Sequence, residues 1–157
     1  MIPVEKPGSY TGAELKGNIP KGVEKRLKQA AKEVVANSYS PYSQFPVGAA
    51  VYSENGRIYS GTNVENTSYG LSICAERTAI AAAVSAGEKI IRAIAIYTPT
   101  EELTVPCGAC LTTIAEFTDP VLRKGDVPIL LLSKTRKRLT SLKALLPEVF
   151  KLNPKEK

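Results

Sequence analysis

A chain of 157 residues with 43% hydrophobic and 23% charged side chains has the balance of one soluble domain with its own core. Its formal net charge of +6 gathers toward the two ends, which argues against a nucleic-acid partner. No apolar run approaches membrane-spanning length, and the absence of any His removes His-based triads and mixed His/Cys zinc sites at once.

Residues 1–20, with Pro, Gly and few large apolar groups, read as an arm laid over a single domain at 21–157. That N-terminus lacks the apolar centre of a signal peptide, so a cytoplasmic protein is expected. Val23 to Asn37 has Leu27, Ala30, Ala31, Val34 and Val35 at helical spacing, which predicts an amphipathic helix. Tyr39 to Pro46 is a loop. Val47 to Tyr52 and Arg57 to Asn63 form a hairpin around Asn55-Gly56. Ile73 to Ala86 is an Ala-rich buried helix stopped by Gly87. Ile90 to Thr98 is a buried strand, Cys107 to Phe117 a helix after Pro106, and Val127 to Leu132 another buried strand. Leu139 to Leu146 reads as a last helix or turn. Helices on both faces of a mixed sheet of about five strands give an α/β fold, a three-layer α/β/α sandwich.

All three cysteines fall in two short motifs, Cys74-Ala75-Glu76 and Pro106-Cys107-Gly108-Ala109-Cys110. Cys107 and Cys110, three apart at a helix start, share one face. If the start of the other helix meets them, Cys74 adds a third sulfur and a fourth tetrahedral position stays open, as catalytic zinc sites require. Glu76, two residues past Cys74, reaches that position without being a ligand, and Arg77 is placed to offset the charge of three thiolates on one Zn²⁺. A Cys-x-x-Cys redox pair is the rival, but it leaves Cys74 without a role; buried inert thiols remain open.

At these residues the chain resembles the cytidine deaminases, in particular the small homo-oligomeric type with all-cysteine zinc ligation. Four blocks carry the likeness: Ser40-Pro41-Tyr42-Ser43-Gln44-Phe45-Pro46-Val47-Gly48-Ala49-Ala50, Asn63-Val64-Glu65-Asn66-Thr67-Ser68-Tyr69-Gly70, Cys74-Ala75-Glu76-Arg77-Thr78-Ala79 and Pro106-Cys107-Gly108-Ala109-Cys110. The resemblance implies hydrolytic deamination of cytidine and deoxycytidine, in pyrimidine salvage, with Zn²⁺ on Cys74, Cys107 and Cys110 and Glu76 as proton shuttle. It implies that Asn63 and Glu65 grip the ribose hydroxyls, that Phe45 stacks on the base and that the Ala75 backbone meets the base edge. It also implies a homotetramer in which Tyr69 and Phe150 reach a neighbouring subunit's site. Read without it, Phe45 beside Pro46 suits a core position equally, and Asn63 and Glu65 suit a strand end and a turn.

The pattern departs at one place. The family usually follows the second motif with Arg and Gln, and here Leu111 and Thr112 stand there. This keeps two other readings open, a deaminase of another aminopyrimidine such as a blasticidin S-like antibiotic, and a catalytically weak zinc-dependent nucleoside binder.

Overall fold

Side chains along each inner strand alternate between two cores, and that alternation sets the layers. The computed structural model describes residues 18–118 and 126–150. Helix α1 (Lys21–Val34) is followed by the hairpin β1 (Gly48–Ser53) and β2 (Ile58–Thr62), then α2 (Ala75–Ser85), β3 (Ile91–Tyr97), α3 (Gly108–Glu116), β4 (Pro128–Leu132), β5 (Lys137–Ser141) and the short α4 (Leu142–Leu145). The five strands form one sheet in the order β2-β1-β3-β4-β5, parallel between β3 and β4 and antiparallel elsewhere.

Ala50 and Tyr52 of β1, Ala93 and Ala95 of β3, and Leu130 and Leu132 of β4 face α1, where Val23, Leu27 and Ala31 complete a buried cluster. Ala49, Val51, Ile94, Ile96, Ile129 and Leu131 face the other way, against Ala79, Ile80 and Ala83 of α2 and Leu111 and Ile114 of α3. Strands buried on both faces read as near-continuous apolar runs, which is why β1, β3 and β4 stand out in the sequence. The expected three-layer α/β/α sandwich is the observed fold. The arm at residues 1–20 lies outside the described residues except for Asn18, Ile19 and Pro20, of which Ile19 is buried against the core under α1.

One expectation is corrected. Leu139 to Leu146, read as a last helix or turn, begins instead in a strand: residues 137–141 pair with β4 at the sheet edge, and one turn of helix follows. The free edge of β4 offers these residues a ladder of backbone hydrogen bonds. Lys137 and Arg138 are exposed, as suits a strand edge that must not recruit another chain. The helix begins at Leu142 because the Ser141 side chain accepts from the Ala144 amide and caps it.

Two glycines let the helices press directly on the hairpin. A methyl group on Gly48 would sit 2.1 Å from the Ala31 carbonyl oxygen of α1. One on Gly61 would sit 2.3 Å from the Ala79 nitrogen and 2.9 Å from the Ala75 oxygen of α2. These are backbone atoms that cannot swing aside. Gly61→Ala is therefore expected to lower stability by about 3 kcal/mol, the scale of overpacking a tight interior. A thermal melt should read this as a drop of roughly 10 °C for a chain of this size; a drop of only a degree or two would show that α2 can retreat.

Candidate metal centre and active site

Cys74 and Cys107 are the residues that open α2 and α3. Both have extended backbone just before the first helical turn, and Cys110 lies in the first turn of α3. The packing of α2 beside α3 brings the three side chains together, with their sulfurs within 4.8 Å of one another. None forms a disulfide. Cys110 is buried, Cys74 is partly exposed and Cys107 is exposed, so the cluster is reachable from one side.

The electrostatics differ across the trio. Burial pushes the Cys110 thiol well above the ordinary thiol range, and the neighbouring Glu76 and Cys74 push it further. Cys74 is raised by burial too, then by Glu76 and Cys107, while Cys110 and the Arg77 guanidinium act the other way. Burial also opposes ionisation of Cys107, but the Cys110 amide, the Cys110 and Cys74 thiols and the Ala109 amide outweigh it and hold this thiol below its usual value. Three sulfurs this close cannot all ionise unaided. A divalent cation among them removes the repulsion, as thiolate sites do when metal binding releases their protons. Arg77 points to the same conclusion. Its Nη2 donates to the Ser72 carbonyl at 3.1 Å, and its Nε is buried with no hydrogen-bond partner beside a cysteine whose thiolate it favours. The donor set and this cation fit Zn²⁺.

Glu76 lies in the first turn of α2 and is only 5% exposed. Burial raises its carboxyl pKa, partly offset by a backbone amide, the Cys110 thiol and the Arg77 charge. A carboxyl so placed is suited to carry a proton and release it again. Leu111, which stands where an Arg was expected, packs in the core between α2 and α3, and the Thr112 hydroxyl bonds back to the Gly108 carbonyl at 2.9 Å. Among the described residues, the Arg77 guanidinium acts on both Cys74 and Glu76.

Of the other predicted residues, Asn63 and Glu65 are tied to the segment that enters the cluster, and Phe150 lies at a separate cavity. Val64 exchanges backbone hydrogen bonds with Ile73, so Asn63 and Glu65 run along the segment that leads into Cys74 and Ala75. Asn63 is buried and makes three side-chain hydrogen bonds to the segment that precedes β1. Its Oδ1 accepts from the Ser38 hydroxyl at 2.6 Å and the Val47 amide at 2.9 Å, and its Nδ2 donates to the Phe45 carbonyl at 2.9 Å. Glu65 accepts from the Tyr42 amide at 2.9 Å, the Ser43 amide at 3.1 Å and the Ser43 hydroxyl. The Ser43 hydroxyl is the main reason its pKa lies below the usual carboxylate value, with burial opposing. Phe45 is 36% exposed, so its ring is available at the surface. Tyr69 is 76% exposed and meets the Tyr42 ring edge-on at 5.9 Å. Phe150 is 85% exposed and borders a cavity of about 210 Å³ between α3 and α4 that Thr112, Ala115, Leu142 and Leu146 also line.

Two residues at this site escape a reading by residue type. Ser38 and Ser43 hold Asn63 and Glu65, yet serines in a Pro-containing loop look like ordinary turn residues. Ser43 is marked only by its position within the first of the four blocks, and Ser38 lies two residues ahead of that block.

The family model for the cytidine and deoxycytidylate deaminase zinc-binding region matches residues 22–122. A cytidine deaminase of Sporosarcina psychrophila is 43% identical over 82% of this chain and 90% of its own length. A crystal structure of cytidine deaminase from Burkholderia pseudomallei superposes with a TM-score of 0.73 at 40% identity, covering 80% of this chain and 98% of that one. That of Mycobacterium tuberculosis gives 0.68 at 35% identity, over 82% and 98%.

Proposed function

The chain belongs to the cytidine and deoxycytidylate deaminase family, and we propose that it hydrolyses cytidine and deoxycytidine to uridine and deoxyuridine with release of ammonia. The observation that carries this reading is the three-sulfur cluster with the buried Glu76 carboxyl against Cys110. Cys74, Cys107 and Cys110 would hold the Zn²⁺, which when bound would supply Lewis acidity for water activation near neutral pH. Glu76 takes a proton from the attacking water and delivers it to N3 of the ring. After attack at C4 it carries the second proton to the departing amine, so one carboxyl serves as base and then as acid. Its burial favours the protonated form that the second half of this cycle needs.

Asn63 and Glu65 are assigned to the sugar hydroxyls, Phe45 to the face of the base and the Ala75 backbone to its edge. Support comes from their assembly along the segment that enters α2. Arg77 balances the thiolates. We assign the protein to a homotetramer in which Tyr69 and Phe150 reach a neighbour's site. Tyr39, Tyr42, Phe45, Val64, Leu71 and Ile73 lie exposed on these same segments, more apolar surface than one isolated site calls for. The free thiols suit a reducing cytoplasm, and hydrolysis of free cytosine nucleosides would serve pyrimidine salvage. No described helix is long and apolar enough to cross a membrane.

The test is ammonia release by zinc-loaded protein from cytidine, deoxycytidine, cytosine, adenosine and blasticidin S. Turnover of the two cytosine nucleosides is expected. Faster turnover of blasticidin S would reassign the site to an antibiotic. Tight binding of a hydrated-pyrimidine analogue without turnover would make it a binding protein.

A further inference from the structure

The backbone of Phe45 is held at both its amide and its carbonyl, by Asn63 directly and by Glu65 through Ser43. Its carbonyl accepts from Asn63 Nδ2 at 2.9 Å. Its amide donates at 3.1 Å to Ser43 Oγ, and that hydroxyl in turn donates to Glu65 Oε1. A serine hydroxyl has one proton, which Glu65 takes, and lone pairs, one of which receives the Phe45 amide. The two bonds polarise in the same direction, so each strengthens the other. The intervening residue, Gln44, has φ of 53°, a left-handed conformation unusual for a side-chain-bearing residue. Its own amide donates to the Ser40 carbonyl at 3.0 Å. Strain of this kind persists where surrounding bonds over-determine the backbone, and it clusters at ligand clamps.

We propose that Ser43 is a positioning residue that couples recognition of the sugar hydroxyl by Glu65 to the placement of the base-stacking ring of Phe45. This rests on the nucleoside-deaminase reading of the site and adds to it. The carboxylate that reads the sugar and the ring that covers the base are one hydroxyl apart. A substrate that lacks the hydroxyl loses its contact with Glu65, and loss of the Ser43 hydroxyl releases that carboxylate and the Phe45 backbone together. Ser43 touches no reacting atom in this account.

The experiment compares cytidine with 3′-deoxycytidine in the zinc-loaded full chain. In wild type, cytidine is preferred. In Ser43→Ala the KM for cytidine is expected to rise about tenfold with kcat within about twofold, the pattern of lost uniform binding. The preference for cytidine over 3′-deoxycytidine falls by a similar factor. Ser43→Thr, which keeps the hydroxyl, restores that preference. In a Glu65→Gln background, Ser43→Ala costs less than about twofold, because residues acting through one another are not additive. If Ser43→Ala melts early, Ser43→Cys keeps the size with a weak donor and is read in the same way. Equal losses on both substrates, or full additivity with Glu65→Gln, would show a merely structural serine and overturn the proposal. Wild type that turns over both nucleosides equally would overturn it too, since no sugar hydroxyl is then read. Wild type that turns over neither would remove the deaminase reading beneath it.

Discussion

Glu76→Gln is expected to lower kcat on cytidine by about 1,000-fold while leaving the zinc content intact, within the usual range for losing a positioned general acid–base. Gln matches Glu in size and fills the same buried place. It offers the ring nitrogen an amide and cannot accept the proton of water. The carboxyl is 5% exposed and its pKa is raised by that burial, so the folded protein bears a cost for ionising it. A neutral amide bears no such cost, and the melting temperature should hold or rise. Activity lost together with stability would signal collapse of the site rather than loss of a proton carrier. The checks are the fall in cytidine absorbance, metal analysis and a thermal melt on one preparation. Retention of kcat within about fivefold would remove Glu76 from the chemistry, because catalysis by a positioned acid–base group is worth far more.

Cys110→Ser is expected to abolish zinc retention and with it cytidine turnover. Cys110 is the fully buried member of the trio and faces Glu76, Cys74 and Cys107 together. Serine is nearly isosteric, but its hydroxyl does not ionise as a thiol does, so the site loses one anionic soft donor. Metal held by the folded chain and not by the unfolded chain stabilises it by mass action, about 4 kcal/mol when the ion is present at a thousand times its dissociation constant. The variant should therefore melt roughly 10 °C below zinc-loaded wild type. Chelation of wild type should give the same lowered melt, and added zinc should restore wild type alone. A Cys110→Ser protein with a full complement of zinc and undiminished turnover would mean that the sulfur cluster is not the metal site.

The parts of this molecule that could be read from residue order are those where one physical requirement leaves a strong pattern. β1, β3 and β4 are apolar on both faces, and α1 repeats its apolar residues at Val23, Leu27 and Ala31. The cysteine motifs were legible for a different reason: three sulfurs and no imidazole leave few chemistries. What escaped depends on partners distant in sequence. β5 has neither an alternating nor an apolar pattern, and it is a strand because β4 offers it an edge. The four-residue α4 starts only where Ser141 caps it. In the site, Asn63 and Glu65 were found by motif, but their bonds to Ser38, Val47, Phe45, Tyr42 and Ser43 arise from a loop folding back across some twenty residues. No local spacing encodes that return. The Leu111-Thr112 departure also needed the structure: Leu111 serves the core, and the guanidinium that favours the Cys74 thiolate belongs to Arg77.

The near-contact of Gly61 with Ala75, Thr78 and Ala79 ties the end of β2 to the beginning of α2 as one solid piece. Asn63 leaves the strand two residues after that glycine, and Glu76 sits one residue beyond Ala75. On the proposed assignments, the gap between the residues that hold the sugar and the carboxyl that moves the proton is thus a fixed gauge. Under those assignments, a pyrimidine whose ribose is absent, stretched or inverted would not bring its amino-bearing carbon to the mark while holding both ends.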